Sequence, residues 1–392
     1  MTDIKEIKLV DVRNNSNIIN NLNNIYKLWG YEEVSPSFIN TLETIKGRGV
    51  IEENEVVGIV SNNSLCLRPE MTTSIVKLSS TRLINKKRPI RLFTNGMVFD
   101  KKENNKNSFK LQEKLQSGIE LIGYDTKYPE IEVINILFDS IDNINLKDDC
   151  NLCLLVSTTK IMDLILNKYK NNNFEEIKKS LVNFDQDKLS KLGIDEEDKY
   201  ILKDLLFTRG EPMAILKKLK SIFGPSKNLD DLNFLFETIS KISSKYGVKL
   251  QLDPTFQPHL NLYEGIVFQL IGDSGNNKNV IAKGGRYDEL VRFFSPNEKT
   301  LNGIGFTISI DVLRNLIKDE KKEKKKILLM FKDSYLLEKG MNEQKELQKS
   351  GIIAVLYLNP CNDLAKANQI MKESTVIFFH NLISFSQVIT RI

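Results

Sequence analysis

The feature that most constrains this chain is the stretch from Arg88 to Asp125, two long runs of strand-forming residues separated by a charged, Asn-rich loop. Extended chain on both sides of one polar break predicts two long paired strands. In the second run Gln116, Gly118 and Glu120 fall at alternate positions, so the period of two aims them at one face, while Leu115, Ile119 and Leu121 take the other. A polar face with a bare glycine in its middle reads as the floor of a ligand site. A hairpin with one solvated face gives the same alternation, and these residues alone leave both readings open.

At 392 residues and 41% hydrophobic the chain can bury a large core, and its length suggests two or three domains. There is no run of about 18 apolar residues and no charged-then-apolar leader over Met1 to Leu22, which predicts a cytoplasmic protein without a membrane span. The 56 basic and 51 acidic residues nearly balance, so charge permits a nucleic-acid partner without indicating one. Cys66, Cys150, Cys153 and Cys361 are too few for a disulfide framework and read as free thiols. Cys150 and Cys153 form a CxxC, but with no second pair beside it, CNLCLLVS reads as a strand. His259 and His380 are the only histidines, too few for a histidine-based metal site or a Ser-His-Asp triad. No metal or other cofactor is expected.

Upstream of the hairpin, apolar residues from Ile18 to Trp29 recur at helical spacing and stop at Gly30. A strand follows, in which Pro36 suits a sheet edge or an interface. Ser64 to Leu78 reads as a strand, a turn at Pro69, and a helix whose first turn holds Glu70, Thr72 and Thr73 near the positive end of its dipole. Downstream, residues 128–142 predict a helix and 151–157 a strand. From about 159 to 246 the pattern is helical, with breaks at Gly193, Gly210 and Gly224-Pro225, and reads as an insertion. Strands resume at 248–253, 263–271 and 280–283. Gly284-Gly285-Arg286-Tyr287-Asp288 then opens a helix to about Phe294, and a strand over 303–309 feeds a helix over 311–317. Residues 318–326 form a charged linker. The remainder, 327–392, alternates strand and helix, including a helix near 364–372, as a small α/β domain does.

In this order the motifs resemble the class II catalytic core of histidyl-tRNA synthetases over residues 1 to about 317. GYEEVSPSF resembles motif 1, whose proline lies at a dimer interface, and LCLRPEMT resembles the synthetase LRPEMT segment. LFTNGMVFD through LQSGIELIG resembles motif 2, and LNLYEGIVFQ resembles the histidine-specific LDYYTGTVFE loop. AKGGRYDELV and GIGFTISIDVL resemble the last strands and motif 3. Any one of these is weak, but six in order are specific. The resemblance implies an α+β fold: a class II aminoacyl-tRNA synthetase-like antiparallel sheet with flanking helices, a helical insertion and a small C-terminal domain. That last domain resembles a truncated anticodon-binding domain that ends at Ile392 before the final elements of that fold.

The departures bear on function. In the family an arginine directly after the VF of motif 2 grips the ATP α-phosphate; here the position is Asp100. At 4 Å, a carboxylate against one phosphate charge costs about 1 kcal/mol in water and about 4 kcal/mol near a protein surface. The motif 3 arginine falls on Val312, and the arginine preceding the histidine-specific loop falls on Pro258. Adenylation needs preorganised positive charge around the reacting phosphorus, so the resemblance implies a chain that is not an enzyme. The amino-acid pocket is retained. Glu70, Thr72 and Gln116 match residues that hold the α-amino group, Glu120 and Tyr263 match residues that hold the imidazole, and Gly118 leaves room for the ligand. Pro258 leaves the ligand carboxylate without its usual partner. Arg286 is open between replacing that partner and pairing with a sheet carboxylate. Asn261, Leu262 and Glu264 also depart from the family loop, which leaves the pocket's shape open.

A synthetase-like core that keeps this pocket and loses the arginines resembles the regulatory subunits of ATP phosphoribosyltransferase. That resemblance implies a hetero-oligomer with a short-form catalytic subunit, a homodimer through the region around Pro36, and histidine as effector. A divergent histidyl-tRNA synthetase, a catalytically dead tRNA-binding paralogue and a scaffold with an empty relic pocket stay open beside it.

Overall fold

Alternating residues along Ile90–Asn104 and Ser108–Ile122 form two strands of 15 residues each, in unbroken antiparallel register from Ile90 opposite Ile122 to Asn104 opposite Ser108. The computed structural model describes residues 6–46, 56–61, 63–104, 108–124, 126, 128–169, 174–257, 262–275, 277–298, 301–318, 326–330, 336–359 and 376–379. In chain order the first elements are α1 (Leu9–Leu28), β1 (Glu32–Glu33), β2 (Ile39–Thr41), α2 (Leu42–Lys46), β3 (Gly58–Ile59), β4 (Leu65–Leu67) and α3 (Thr72–Thr81). The hairpin supplies β5 (Ile90–Asn104) and β6 (Ser108–Ile122), followed by α4 (Pro129–Asp142) and β7 (Asn151–Thr158). The helical stretch consists of α5 (Thr159–Asn167), α6 (Phe174–Val182), α7 (Gln186–Lys191), α8 (Glu196–Phe207), α9 (Pro212–Phe223) and α10 (Lys227–Lys245). Then come β8 (Lys249–Leu252), β9 (Ile266–Ser274), β10 (Asn277–Arg286), α11 (Asp288–Phe294), β11 (Gly303–Ser309) and α12 (Ile310–Leu316). The last described elements are β12 (Lys326–Leu329), α13 (Leu337–Lys349), β13 (Ile353–Leu356) and β14 (Val376–Phe379).

The chain divides into two compact units, Met1–Lys318 and Asp319–Ile392. In the first, eight strands form one sheet in the order β1-β5-β6-β11-β10-β9-β7-β8, antiparallel except for the β1–β5 and β7–β8 pairs. A short sheet β2-β4-β3 stands beside it. In the second unit β13-β12-β14 are parallel, which is the pattern expected of a small α/β unit. The predicted helix near 364–372 lies outside the described residues.

Strand alternation sorts the large sheet into two unlike faces. Phe93, Ile119, Leu121, Phe268, Ile304 and Phe306 point to one face, where Ile18, Leu22 and Tyr26 of α1, Val133 and Leu137 of α4 and the helical stretch cover them. Each such buried aromatic contributes about 2–3 kcal/mol relative to exposure. Among the described residues, helices cover the opposite face at one end. There α3 lays Met71 and Ile75 on Ile90, Leu92 and Val98, while Val76 joins Leu290 and Val291 of α11 over Ile122. On this face Gly118 and Glu120 are buried and Gln116 is half-buried.

Several local expectations shift. Helix α1 begins at Leu9, before the apolar periodicity starts, with Leu9 and Val10 exposed on its first turn. Strand β9 starts at Ile266, so Tyr263 sits in the preceding loop rather than in the strand. Gly284, Gly285 and Arg286 belong to β10, and the helix begins only at Asp288. The reason is packing: a Cβ on Gly284 would lie 2.4 Å from the Phe268 ring and 2.5 Å from the Gly305 carbonyl, so the glycines serve close strand contact, not a turn.

Candidate functional site

Residues directly opposed across strands share a face, and the register therefore maps the floor that carries Glu120. Glu120 is opposite Leu92 on one side and Gly305 on the other, and Gly305 is opposite Gly285. One step along, Gly118 is opposite Thr94 and Thr307; the next step pairs Gln116 with Gly96 and Ser309. The glycines allow the polar groups to lie flat. A Cβ on Gly305 would stand 1.9 Å from Oε2 of Glu120, and one on Gly285 would stand 2.5 Å from the Tyr263 ring. Gly118 has a second reason to be bare, because its Cβ would come within 2.5 Å of the Phe306 carbonyl.

The start of α3 overhangs this floor. Glu70 precedes the helix rather than sitting in its first turn, and both of its carboxylate oxygens accept from the Thr73 amide at 3.0 Å. That is a cap made from outside the helix, favoured by the dipole. The Thr72 hydroxyl stands between the Glu70 and Glu120 carboxylates, in hydrogen-bonding reach of each. Glu120 is 2% exposed and accepts from the Tyr287 hydroxyl. Burial pushes its pKa up to about 8, against the lowering effect of the bonds from Tyr287 and Thr72 and with a further push from the Glu70 charge. Glu70 is raised as well, again by burial, with its hydrogen bonds from Thr72 and Thr73 opposing. Burial followed by the two carboxylate charges raises the Tyr263 phenol. Glu70, Thr72, Glu120, Tyr263 and Tyr287 thus form one interacting cluster, with Gly118 and Gln116 next along the same floor.

Arg286 is not part of it. It is opposite Ile304, which is opposite Leu121, so alternation carries it to the face away from Glu120. There its Nε donates to Asp288 at 2.7 Å, its Nη1 lies 3.7 Å from Glu130, and its guanidinium sits 5.6 Å from the Tyr124 ring centre. It borders a separate cavity of about 320 Å³ with Glu130, Thr158, Lys160 and Gly265. Of its two possible roles, the geometry fits the structural pair.

Two contributors escaped the sequence reading. Tyr287 shares the parity of Gly285 and would have been assigned to the Glu120 face had β10 been continued to Arg286. Arg68, 1% exposed, donates from Nε to the Met97 carbonyl at 2.9 Å and from Nη1 to the Pro36 carbonyl at 3.1 Å, and stacks 4.4 Å from the Phe38 ring. Its guanidinium fills the space above Gly96, where a Cβ would meet Nη2 at 2.1 Å. It ties the Pro36 segment to the floor; a lone arginine in LRPE carries no signal of that.

Asp100 lies on the same face toward the far end of β5, ion-paired with Lys114 of β6. Val312 packs against the main core from α12, whose Asp311 accepts the Leu115 amide at 2.8 Å. Pro258 and Asn261 lie outside the described residues; Leu262 is buried and Glu264 pairs with Arg292 at 3.1 Å. Among the described residues no helix is long and apolar enough to cross a membrane.

The family model for histidyl-tRNA synthetase matches residues 3–313. An ATP phosphoribosyltransferase regulatory subunit from Prochlorococcus marinus subsp. pastoris is 72% identical over 373 residues, 95% of this chain and 97% of that one. A regulatory subunit of the same name from Synechococcus sp. is 34% identical over 91% of this chain and 92% of its own length. Among solved structures, an ATP phosphoribosyltransferase regulatory subunit/histidyl-tRNA synthetase from Bacillus halodurans superposes with a TM-score of 0.80 at 20% identity, covering 97% of this chain and 96% of that one. Histidyl-tRNA synthetase from Nostoc follows at 0.74 and 15% identity, covering 94% and 88%. At such identities the structures speak to the fold, which is that of the class II synthetases.

Proposed function

The chain belongs to the family of ATP phosphoribosyltransferase regulatory subunits, and we propose that it serves a short-form catalytic subunit as a non-catalytic partner whose pocket senses free histidine. The observation that carries this reading is the Glu70–Thr72–Glu120–Tyr263 cluster on the floor beneath the start of α3. Two carboxyl groups, a hydroxyl and a phenol within one pocket, joined by Gln116, offer acceptors for an ammonium and paired partners for the two nitrogens of an imidazole. At neutral pH the raised pKa keeps Glu120 largely protonated, so it can donate to the bare nitrogen of a neutral ring. An imidazolium facing a carboxylate is the same proton moved across the same bond.

The mouth of the hairpin supports the non-catalytic half of the reading. Asp100 and Lys114 neutralise one another where the synthetases present an arginine to the α-phosphate, and neither Val312 nor Pro258 can supply a guanidinium. Feedback then requires only that histidine favour one state of the assembly, a coupling typically of about 1–3 kcal/mol. A homodimer through the Pro36 region, a cytoplasmic setting and an anticodon-domain-like unit over 327–392 that does not read tRNA complete the proposal.

The test is to mix the chain with a short-form catalytic subunit from the same organism and to assay condensation of ATP with phosphoribosyl pyrophosphate, with and without histidine. Stimulation by the chain and its loss with histidine are expected. No stimulation, or histidine-dependent ATP–pyrophosphate exchange by the chain alone, overturns the assignment.

A further inference from the structure

We propose that the cavity behind the sheet, bordered by Glu130 and Lys160, is a second ligand site that takes a free α-amino acid with an apolar side chain. It is separate from the Glu120 cluster. Arg286 alternates with Gly285 and Tyr287, which lie on the Glu120 side, so the cavity that Arg286 borders is on the reverse face. Its volume of about 320 Å³ is at the small end of the range for small-molecule sites. Leu232 and Leu235 of α10, both buried, give it an apolar wall.

Glu130 carries the argument. It sits in the first turn of α4, is 7% exposed, and its Oε2 accepts no hydrogen bond among the described residues. Arg286 approaches only the other oxygen, Oε1, at 3.7 Å. Burial raises the pKa of this carboxyl, while its own amide, Arg286 and Lys160 lower it. A buried acceptor without a donor is costly, and a ligand ammonium at Oε2 meets that need with a charge-assisted bond. The charges around the space are of both signs: Glu130, Glu264 and Asp288 on one hand, Lys160 and Arg286 on the other. A net cation or a net anion there meets like charge, whereas a zwitterion is complementary to both. Lys160 is exposed, so its flexible ammonium can follow the ligand's carboxylate from the solvent side. The leucines then receive the ligand's side chain.

Calorimetry on the full-length chain, alone and assembled with its catalytic subunit, tests this with three probes. They are L-leucine, isocaproate, which lacks the ammonium, and isoamylamine, which lacks the carboxylate. Leucine is expected to bind about tenfold or more tightly than either analogue, and to bind as well in excess histidine as without it. Glu130→Gln should weaken leucine about tenfold or more. Leu235→Phe, which narrows the cavity from α10, should weaken it as well, and thermal unfolding identifies which variants are folded. No leucine binding to the wild-type chain or its assembly means a cavity that holds water only and overturns the inference. So does displacement of leucine by histidine, equal affinity for all three probes, or unchanged leucine affinity in the folded variants.

Discussion

Glu120 and Asp100 are two carboxylates on one face of one hairpin, and the fold treats them oppositely. Glu120 is buried under the start of α3, hydrogen-bonded to neutral hydroxyls and, among the described residues, paired with no cation, so burial dominates and the proton stays on. Asp100 is partly exposed and paired with Lys114. The first arrangement makes a neutral group able to donate and accept, suited to holding a ring. The second cancels a charge locally. Along one strand pair, then, binding and activation are physically separable: one needs a dry, preorganised acceptor, the other an uncompensated cation.

The largest effect expected is from Gly305→Ala. Its Cβ would meet Oε2 of Glu120 and, at 2.2 Å, the rigid Ile119 carbonyl; destabilisation of about 3 kcal/mol, read from the urea midpoint, and loss of histidine binding should follow. A full-affinity, fully stable variant would mean the floor is looser than its register implies. Next is Glu120→Ala, which removes the acceptor and leaves the Tyr287 hydroxyl buried and unpaired. Histidine affinity should fall about tenfold to a hundredfold, whereas Glu120→Gln, able to donate and accept, should lose less.

The same carboxyl sets a pH dependence. Its pKa is raised from 4.5 to about 8 on folding, so across that window the folded chain holds a proton the unfolded chain has released. Stability should decline as pH rises from about 5 to 8 and level off above, by on the order of a few kcal/mol, and denaturation of Glu120→Gln across pH should show a flatter profile. A rise over that window would contradict the assignment of Glu120 as the protonated partner. Tyr287→Phe removes one bond to the carboxyl and should cost about 1 kcal/mol while raising the Glu120 pKa further, visible as a shifted profile. Lys114→Ala, at the other end of the comparison, should change stability by about 0.5 kcal/mol or less; a large loss would show that the Asp100 pair is more than a surface contact.

Much of this was legible beforehand where local geometry carries the signal. The hairpin, the face shared by Gln116, Gly118 and Glu120, the helical stretch and its breaks all follow from period and punctuation, and the motif order pointed to the synthetase fold. Glu70 and Tyr263 lie close to Glu120 as expected though not in the expected elements, because a residue two positions outside a helix or three outside a strand keeps its neighbours. Arg286 and Tyr287 were harder. Ending the strand at Lys283 and opening a helix at Gly284 lost the alternation, and left the arginine a candidate ligand and the tyrosine unassigned.

By itself, then, the sequence determined which residues alternate on each strand and which residue types stand at each motif position, since φ/ψ periodicity and residue type are local properties. Only the tertiary structure decided which strands lie side by side, that bare glycines at 285 and 305 are what let Tyr263 and Glu120 lie flat, and that Arg286 faces away from them. Those are facts of register and close approach between residues up to nearly two hundred positions apart in sequence, and no local pattern encodes them.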